Sequence, residues 1–147
     1  MSSESAVRVI EIGGDRALME QAFAIRRRVF IEEQQVPEEI ELDADDARAV
    51  HALALENGGA VGCGRMVAHG AYVKIGRMAV LRERRRNGVG RAVLEFLMGE
   101  ARRRGFARAV LDAQLHAEGF YLRLGFAPIG EVFEEAGIAH RRMEREL

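Results

Sequence analysis

The segment Arg85-Arg86-Asn87-Gly88-Val89-Gly90 joins an apolar, strand-like run at 72–80 to an amphipathic helical pattern over 88–104 that is rich in Ala, Leu, Met, Glu and Arg. A glycine loop that opens a helix places free backbone N–H groups beside the positive end of the helix dipole. That is the arrangement that holds a phosphate or pyrophosphate. Gly88 and Gly90 let a ligand approach the backbone with no Cβ in the way. Taken alone, Asn-Gly with a nearby glycine is an ordinary turn. Its position between an apolar strand and a helix points to a seat for a phosphorylated cofactor.

The chain has 147 residues, enough for one domain with a real core. Its net charge of -1 argues against a dedicated nucleic-acid binder, which needs a net basic surface. The single cysteine, Cys63, excludes an internal disulfide and a multi-cysteine metal site, and reads as a small apolar strand residue. No metal site is expected. A polar N-terminus and the lack of a long apolar run argue against a signal peptide or a membrane span, so a cytoplasmic location is the expectation.

Charge is nonetheless unevenly spread. Ten arginines fall between Arg77 and Arg108, and eight carboxylates occupy the fifteen residues from Glu32 to Asp46. Each run reads either as a solvated face or as a functional one: a basic side for a polyphosphate, an acidic side facing a second substrate.

The pattern along the chain begins with a strand at 7–12, ended by Gly13-Gly14, and a helix from an Asp15 cap to about Phe30. Pro37 breaks the chain, and the acidic segment to Asp46 reads as an irregular loop or short helix. Strands at 49–56 and 60–68 are joined at Asn57-Gly58-Gly59, a strong hairpin signal. A turn at His69-Gly70 leads into the strand at 72–80. The 88–104 helix ends at Gly105, a good C′ residue. A strand at 107–113, a short helix from His116 to about Leu124, and strands near 126–133 and 138–146 complete the chain. The order β-α-(α)-β-β-β-α-β-α-β-β is an α/β pattern in one domain.

The run 80–90, with Arg85, Gly88 and Gly90 in the pattern Arg/Gln-x-x-Gly-x-Gly/Ala, resembles the acyl-CoA pyrophosphate loop of the GNAT superfamily of N-acetyltransferases. Ala117, Phe120, Tyr121, Gly125 and Phe126 are similar to that family's A-x-x-F-Y-x-x-x-G-F segment. Arg26-x-x-Val29-Phe30-x-x-Glu33-Gln34, Glu41-x-Asp43-x-x-Asp46 and Gly137-Ile138-x-His140-x-x-Met143 resemble its ElaA/YjcF-like branch. The likeness covers nearly the whole chain. One departure is Arg82, where many relatives carry proline.

The resemblance implies a single-domain GNAT fold over 1–147, an α/β architecture whose mixed central sheet is flanked by helices and splays between its fourth and fifth strands. Acetyl-CoA is the implied co-substrate. Its pantetheine arm would lie along Met78, Ala79 and Val80, and its pyrophosphate on Arg85, Arg86, Asn87, Gly88, Val89 and Gly90. Arg91 and Gln114 are further cofactor-binding candidates. Tyr121 is the implied general acid and His140 the implied general base, with Glu33 acting through water as an alternative; both side chains also suit structural roles. Arg26, Phe30 and Glu33 are candidates for contact with the acceptor, a primary amine on a small molecule or peptide. The acidic segment would attract a cationic amine or serve as scaffolding, and Arg26 would suit an acidic substrate. A non-catalytic acyl-CoA-binding module and an enzyme using another acyl chain stay open, as does a homodimer through the C-terminal strands.

Overall fold

The computed structural model describes residues 7–147, so the first six residues of the expected 1–147 domain lie outside the described residues. Strand β1 (Arg8–Ile12) stops at the glycine pair, and the Asp15 carboxylate accepts the Leu18 N–H at 3.1 Å to cap α1 (Arg16–Arg26). The helix does not end near Phe30. It widens into a π-helical segment, Arg27–Glu33, in which Gln34 N–H reaches back to the Val29 carbonyl at 3.2 Å. Pro37, which has no N–H to donate, opens α2 (Glu38–Glu41), followed by a 3₁₀ turn at Ala44–Ala47. The remaining elements are β2 (Val50–Glu56), β3 (Gly59–His69), β4 (Tyr72–Val80), α3 (Val89–Arg103), β5 (Arg108–Gln114), α4 (Glu118–Arg123), β6 (Ala127–Glu135) and β7 (Ile138–Glu146).

The seven strands form one sheet in the order β1-β2-β3-β4-β5-β7-β6, antiparallel throughout except for the β4–β5 pair. The expected mixed sheet flanked by helices is therefore present. On one face, Val93, Leu94, Leu97 and Met98 of α3 pack with Val73, Ile75, Leu111 and Met143. On the other, Ala22, Ile25 and Val29 pack with Leu53, Cys63 and Ala79. At Gly64, a Cβ would lie 2.7 Å from Met78 Sδ and 2.9 Å from Val93 Cγ1, so glycine is what lets α3 approach β3 this closely.

A bulge in β4 opens the sheet. Cys63 pairs with Ala79 and Arg65 with Gly76, so two steps along β3 span three along β4. The inserted residue changes which side chains face α3: Val73 and Ile75 do so before it, Met78 and Val80 after it, while Ala79 joins the α1 core. Pairing of β4 with β5 runs from Tyr72↔Arg108 to Ile75↔Leu111 and stops there, immediately before the bulge. A bulge bends its strand and increases the local twist. The two parallel neighbours consequently diverge, which is the expected splay.

Candidate active site

The gap between β4 and β5 is lined on one side by backbone that β5 does not pair. Leu81 N–H bonds to Val61 O of β3 at 3.0 Å, so by strand alternation the polar groups of Ala79 also face β3. Those of Met78 and Val80 face the gap, where β5 has turned away, although the Val80 carbonyl already accepts Arg85 Nε at 3.0 Å. Both side chains meanwhile pack against the α3 core. Core packing and an open main chain thus coexist at Met78 and Val80, and an extended ligand would find there the hydrogen-bonding edge of a strand.

At the end of β4 the chain makes a 3₁₀ turn at Arg82–Arg84 and enters α3 through Gly88, whose φ of +84° suits glycine. The first α-helical bond is Ala92 N–H to Gly88 O, 3.0 Å, and no side chain caps the helix. The amides of the first turn at Val89, Gly90 and Arg91 are left as outward-pointing donors at the positive end of the dipole. A Cβ at Gly88 would meet no atom of the chain within 4 Å, and one at Gly90 would touch Phe120 and Val80 only at ordinary contact distance, 3.5 and 3.6 Å. Gly88 is therefore required by the backbone, whereas the chain's own packing does not require glycine at 90. Arg86, at φ +67°, and Asn87 are exposed on the same turn.

The arginines expected to supplement the amide cradle are partly engaged elsewhere. Arg85 turns back, with Nε donating to Val80 O at 3.0 Å and Nη2 to Glu33 Oε1 at 2.9 Å. Glu33 Oε2 takes Arg82 at 3.3 Å, and Arg91 pairs with Glu95 one helical turn away at 3.0 Å. Both Glu33 oxygens are thus held by arginines of the loop. This places Glu33 on the donor side, and it is a poor candidate for a water-activating base. Phe30 packs into the α1 core.

Arg26 requires a correction. It is 1% exposed, with Nε on Glu41 Oε1 at 2.6 Å and Nη1 on Asp46 Oδ1 at 2.7 Å, so it cannot meet an acceptor. Asp46 also takes Arg65 at 2.7 Å, Arg65 grips Asp43 at 2.7 Å, and Arg77 reaches Asp43 at 3.1 Å. Three arginines and three carboxylates balance. Burial disfavours the Asp46 carboxylate, but the hydrogen bonds and charges of Arg26 and Arg65 outweigh it and hold its pKa at about 2. Asp43 is lowered too, chiefly by its hydrogen bond from Arg65. His51 is buried, bonds to Asp46 O at 2.9 Å, and is pushed down mainly by burial. Of the acidic segment's two readings, scaffolding is what Glu41, Asp43 and Asp46 provide. Arg65 and Arg77 were not anticipated; an arginine directly after a glycine inside an apolar strand was the available sign of a bulge.

Tyr121 lies edge-on to Phe120 and Phe126, with centroids 5.0 and 6.0 Å away. Its ring is part of the α3 core, and burial pushes the phenol up to about 12. The hydroxyl makes no hydrogen bond among the described residues and stays protonated at ordinary pH. His140, on β7 opposite Gln114, is 8% exposed and stacks on Phe133 at 5.8 Å. Its Nδ1 lies 2.7 Å from Ile138 O. A carbonyl only accepts, so Nδ1 is the donor, and the lone pair of the ring's neutral form lies at Nε2. Gln114 ends β5 and exchanges two hydrogen bonds with Gln34, 2.9 and 3.2 Å, spanning from the π-helical segment to the mouth of the gap. Cys63 is buried and its thiol is pushed up to about 12 by burial, which rules out a ready thiolate nucleophile. Among the described residues no group of three or more His, Cys, Asp or Glu side chains forms a metal site.

The chain as a whole is similar to known proteins. The family model described as an acetyltransferase (GNAT) domain matches residues 13–147. The chain belongs to the GNAT acetyltransferase family. The uncharacterized N-acetyltransferase YjcF of Bacillus subtilis is 33% identical over 129 residues, covering 87% of this chain and 92% of that protein. The crystal structure of Escherichia coli ElaA superposes with a TM-score of 0.84 at 26% identity, over 97% of this chain and 100% of ElaA. An acyl-CoA N-acyltransferase from Pseudomonas aeruginosa gives 0.83 at 26% identity, over 97% and 99%. Within the family this GNAT protein falls in the ElaA/YjcF-like branch.

Proposed function

We propose that this GNAT protein transfers the acetyl group of acetyl-CoA directly to a primary amine of a small molecule or peptide. The observation that carries the reading is the conjunction of the splay after Ile75↔Leu111 with the uncapped α3 N-terminus. Together they offer an extended, amide-bearing arm a strand edge and its pyrophosphate a ring of N–H donors. When bound, acetyl-CoA supplies an activated thioester. Main-chain groups of Met78 and Val80 align the arm, and the 85–90 turn anchors the phosphates.

His140 Nε2 takes the proton that the amine nitrogen sheds as its bond to the acetyl carbon forms. The Tyr121 hydroxyl donates a proton to the sulfur as the carbon–sulfur bond breaks. The buried, high-pKa Cys63 supports direct transfer over an acyl-cysteine route. Thiol release from acetyl-CoA, measured against a panel of primary amines, tests the reading. Amine-dependent release is expected. Binding of acetyl-CoA with no release for any amine would instead identify a non-catalytic acyl-CoA-binding module.

A further inference from the structure

The left-handed conformation in the β4 bulge falls on Arg77, at φ +51°, and not on Gly76 beside it, which has an ordinary φ. Glycine adopts such a conformation freely, whereas a long side chain does so only when its surroundings require it. Here the requirement comes through the side chain. Nε donates to Glu41 O at 3.0 Å, and Nη2 donates to Ile40 O at 3.2 Å and to the Asp43 carboxylate at 3.1 Å. The two carbonyls belong to α2, a helix whose terminal carbonyls need partners. Asp43 is in turn gripped by Arg65, which shares Asp46 with the buried Arg26 of α1. A chain of charge-assisted contacts thus runs from α1 through the 40–46 segment to a single residue of β4. The next residue, Met78, is the first whose main-chain groups face the gap.

We infer that Arg77 is a positioning residue for acetyl transfer: by tying the β4 bulge to Ile40, Glu41 and Asp43, it sets where the main-chain groups of Met78 and Val80 meet the donor. The inference rests on the acetyltransferase reading and gives the acidic segment a part in it. The 40–43 carbonyls and carboxylate act at a distance, through one guanidinium, on the strand edge that receives the pantetheine arm. Lysine is a poor substitute, because a single ammonium cannot span two carbonyls and a carboxylate as the planar fork does.

The test compares Arg77→Ala, Arg77→Gly and Arg77→Lys by calorimetric acetyl-CoA binding and by steady-state transfer, all well below each variant's melting temperature. Arg77→Ala lacks the anchor and disfavours positive φ, so its kcat/KM for acetyl-CoA falls about 10²-fold, the scale of a small misplacement of reacting groups. Arg77→Gly lacks the same anchor yet tolerates the bulge, and it retains about tenfold more activity than alanine. Arg77→Lys keeps the charge and still loses activity. A folded Arg77→Ala with wild-type kcat and KM overturns the inference, as does glycine performing no better than alanine. If the alanine variant does not fold, a folded Arg77→Lys with unchanged constants overturns it. Failure of the wild-type chain to bind acetyl-CoA would overturn the acetyltransferase reading itself, and the calorimetric arm detects that without an acceptor.

Discussion

The two proposed acid–base residues are prepared in opposite ways. Tyr121 is 8% exposed, its hydroxyl makes no hydrogen bond among the described residues, and burial alone raises its phenol pKa to about 12. The packing is compatible with the proposed acid role: Phe120 and Phe126 hold the ring while the hydroxyl makes no hydrogen bond among the described residues. Tyr121→Phe keeps the packing and removes the proton, so turnover should fall about 10²-fold or more while the acetyl-CoA dissociation constant barely changes. Equal turnover in the two proteins would reject the assignment. His140 is instead fixed by a hydrogen bond, Nδ1 to Ile138 O, that leaves Nε2 as the acceptor. His140→Ala should lower turnover about 10²-fold near neutral pH. The loss should shrink as pH rises, because hydroxide then takes over removal of the proton that the amine nitrogen sheds; a loss independent of pH would indicate a structural role.

At the level of elements, the π-helical segment, α2 and the 3₁₀ turn form a scaffold held by ions more than by apolar contacts. Glu41 is 2% exposed and Arg26 1%, so neither charge has water to fall back on. Breaking a buried pair by removing one partner typically costs about 3–5 kcal/mol, because the other charge is left uncompensated. Arg26→Met should therefore destabilise the protein by an amount in that range, read from urea unfolding, because Glu41 loses its close partner and Asp46 keeps only Arg65. An exposed pair offers the contrast: Arg91→Ala, which loses only Glu95 in the first turn of α3, should cost about 1 kcal/mol or less. If Arg26→Met cost no more than Arg91→Ala, the cluster would not be holding the scaffold.

For the whole molecule, the cluster sets an acid limit. Asp46 has a folded pKa of about 2, below its ordinary 3.8, and Asp43 and Asp112 are also lowered. A carboxylate with a depressed folded pKa contributes stability that is fully present above its unfolded pKa and is lost as pH falls through the folded one. His51, lowered by burial, acts in the same direction: the unfolded chain takes up its proton first. Melting temperature should decline modestly below the ordinary histidine range and steeply between about pH 4 and pH 2. Asp46→Asn should be less stable at neutral pH and show a shallower decline. A melting temperature flat down to pH 2 would contradict this.

The strand–helix order, the Asp15 cap, the Asn57-Gly58 hairpin and the glycine turn were legible in the chain because each depends on neighbours a few residues apart. The proposed donor half, Met78, Val80 and 85–90, lies within one short stretch of chain, so it too could be picked out from local pattern. Arg26 was misassigned because its partners, Glu41 and Asp46, are fifteen and twenty residues away, and only folding shows that they neutralise it. The helix read as ending near Phe30 runs on to Glu33 because π-type bonds carry it past that point, and no local pattern announces them. Sequence alone thus determined the elements and the glycine turn that opens α3, which local periodicity and backbone conformation specify. Only the tertiary structure decided the open edge of β4, the tautomer of His140 and the balance of the buried charges. Each of those depends on which distant group fills, or leaves empty, a particular hydrogen-bonding position.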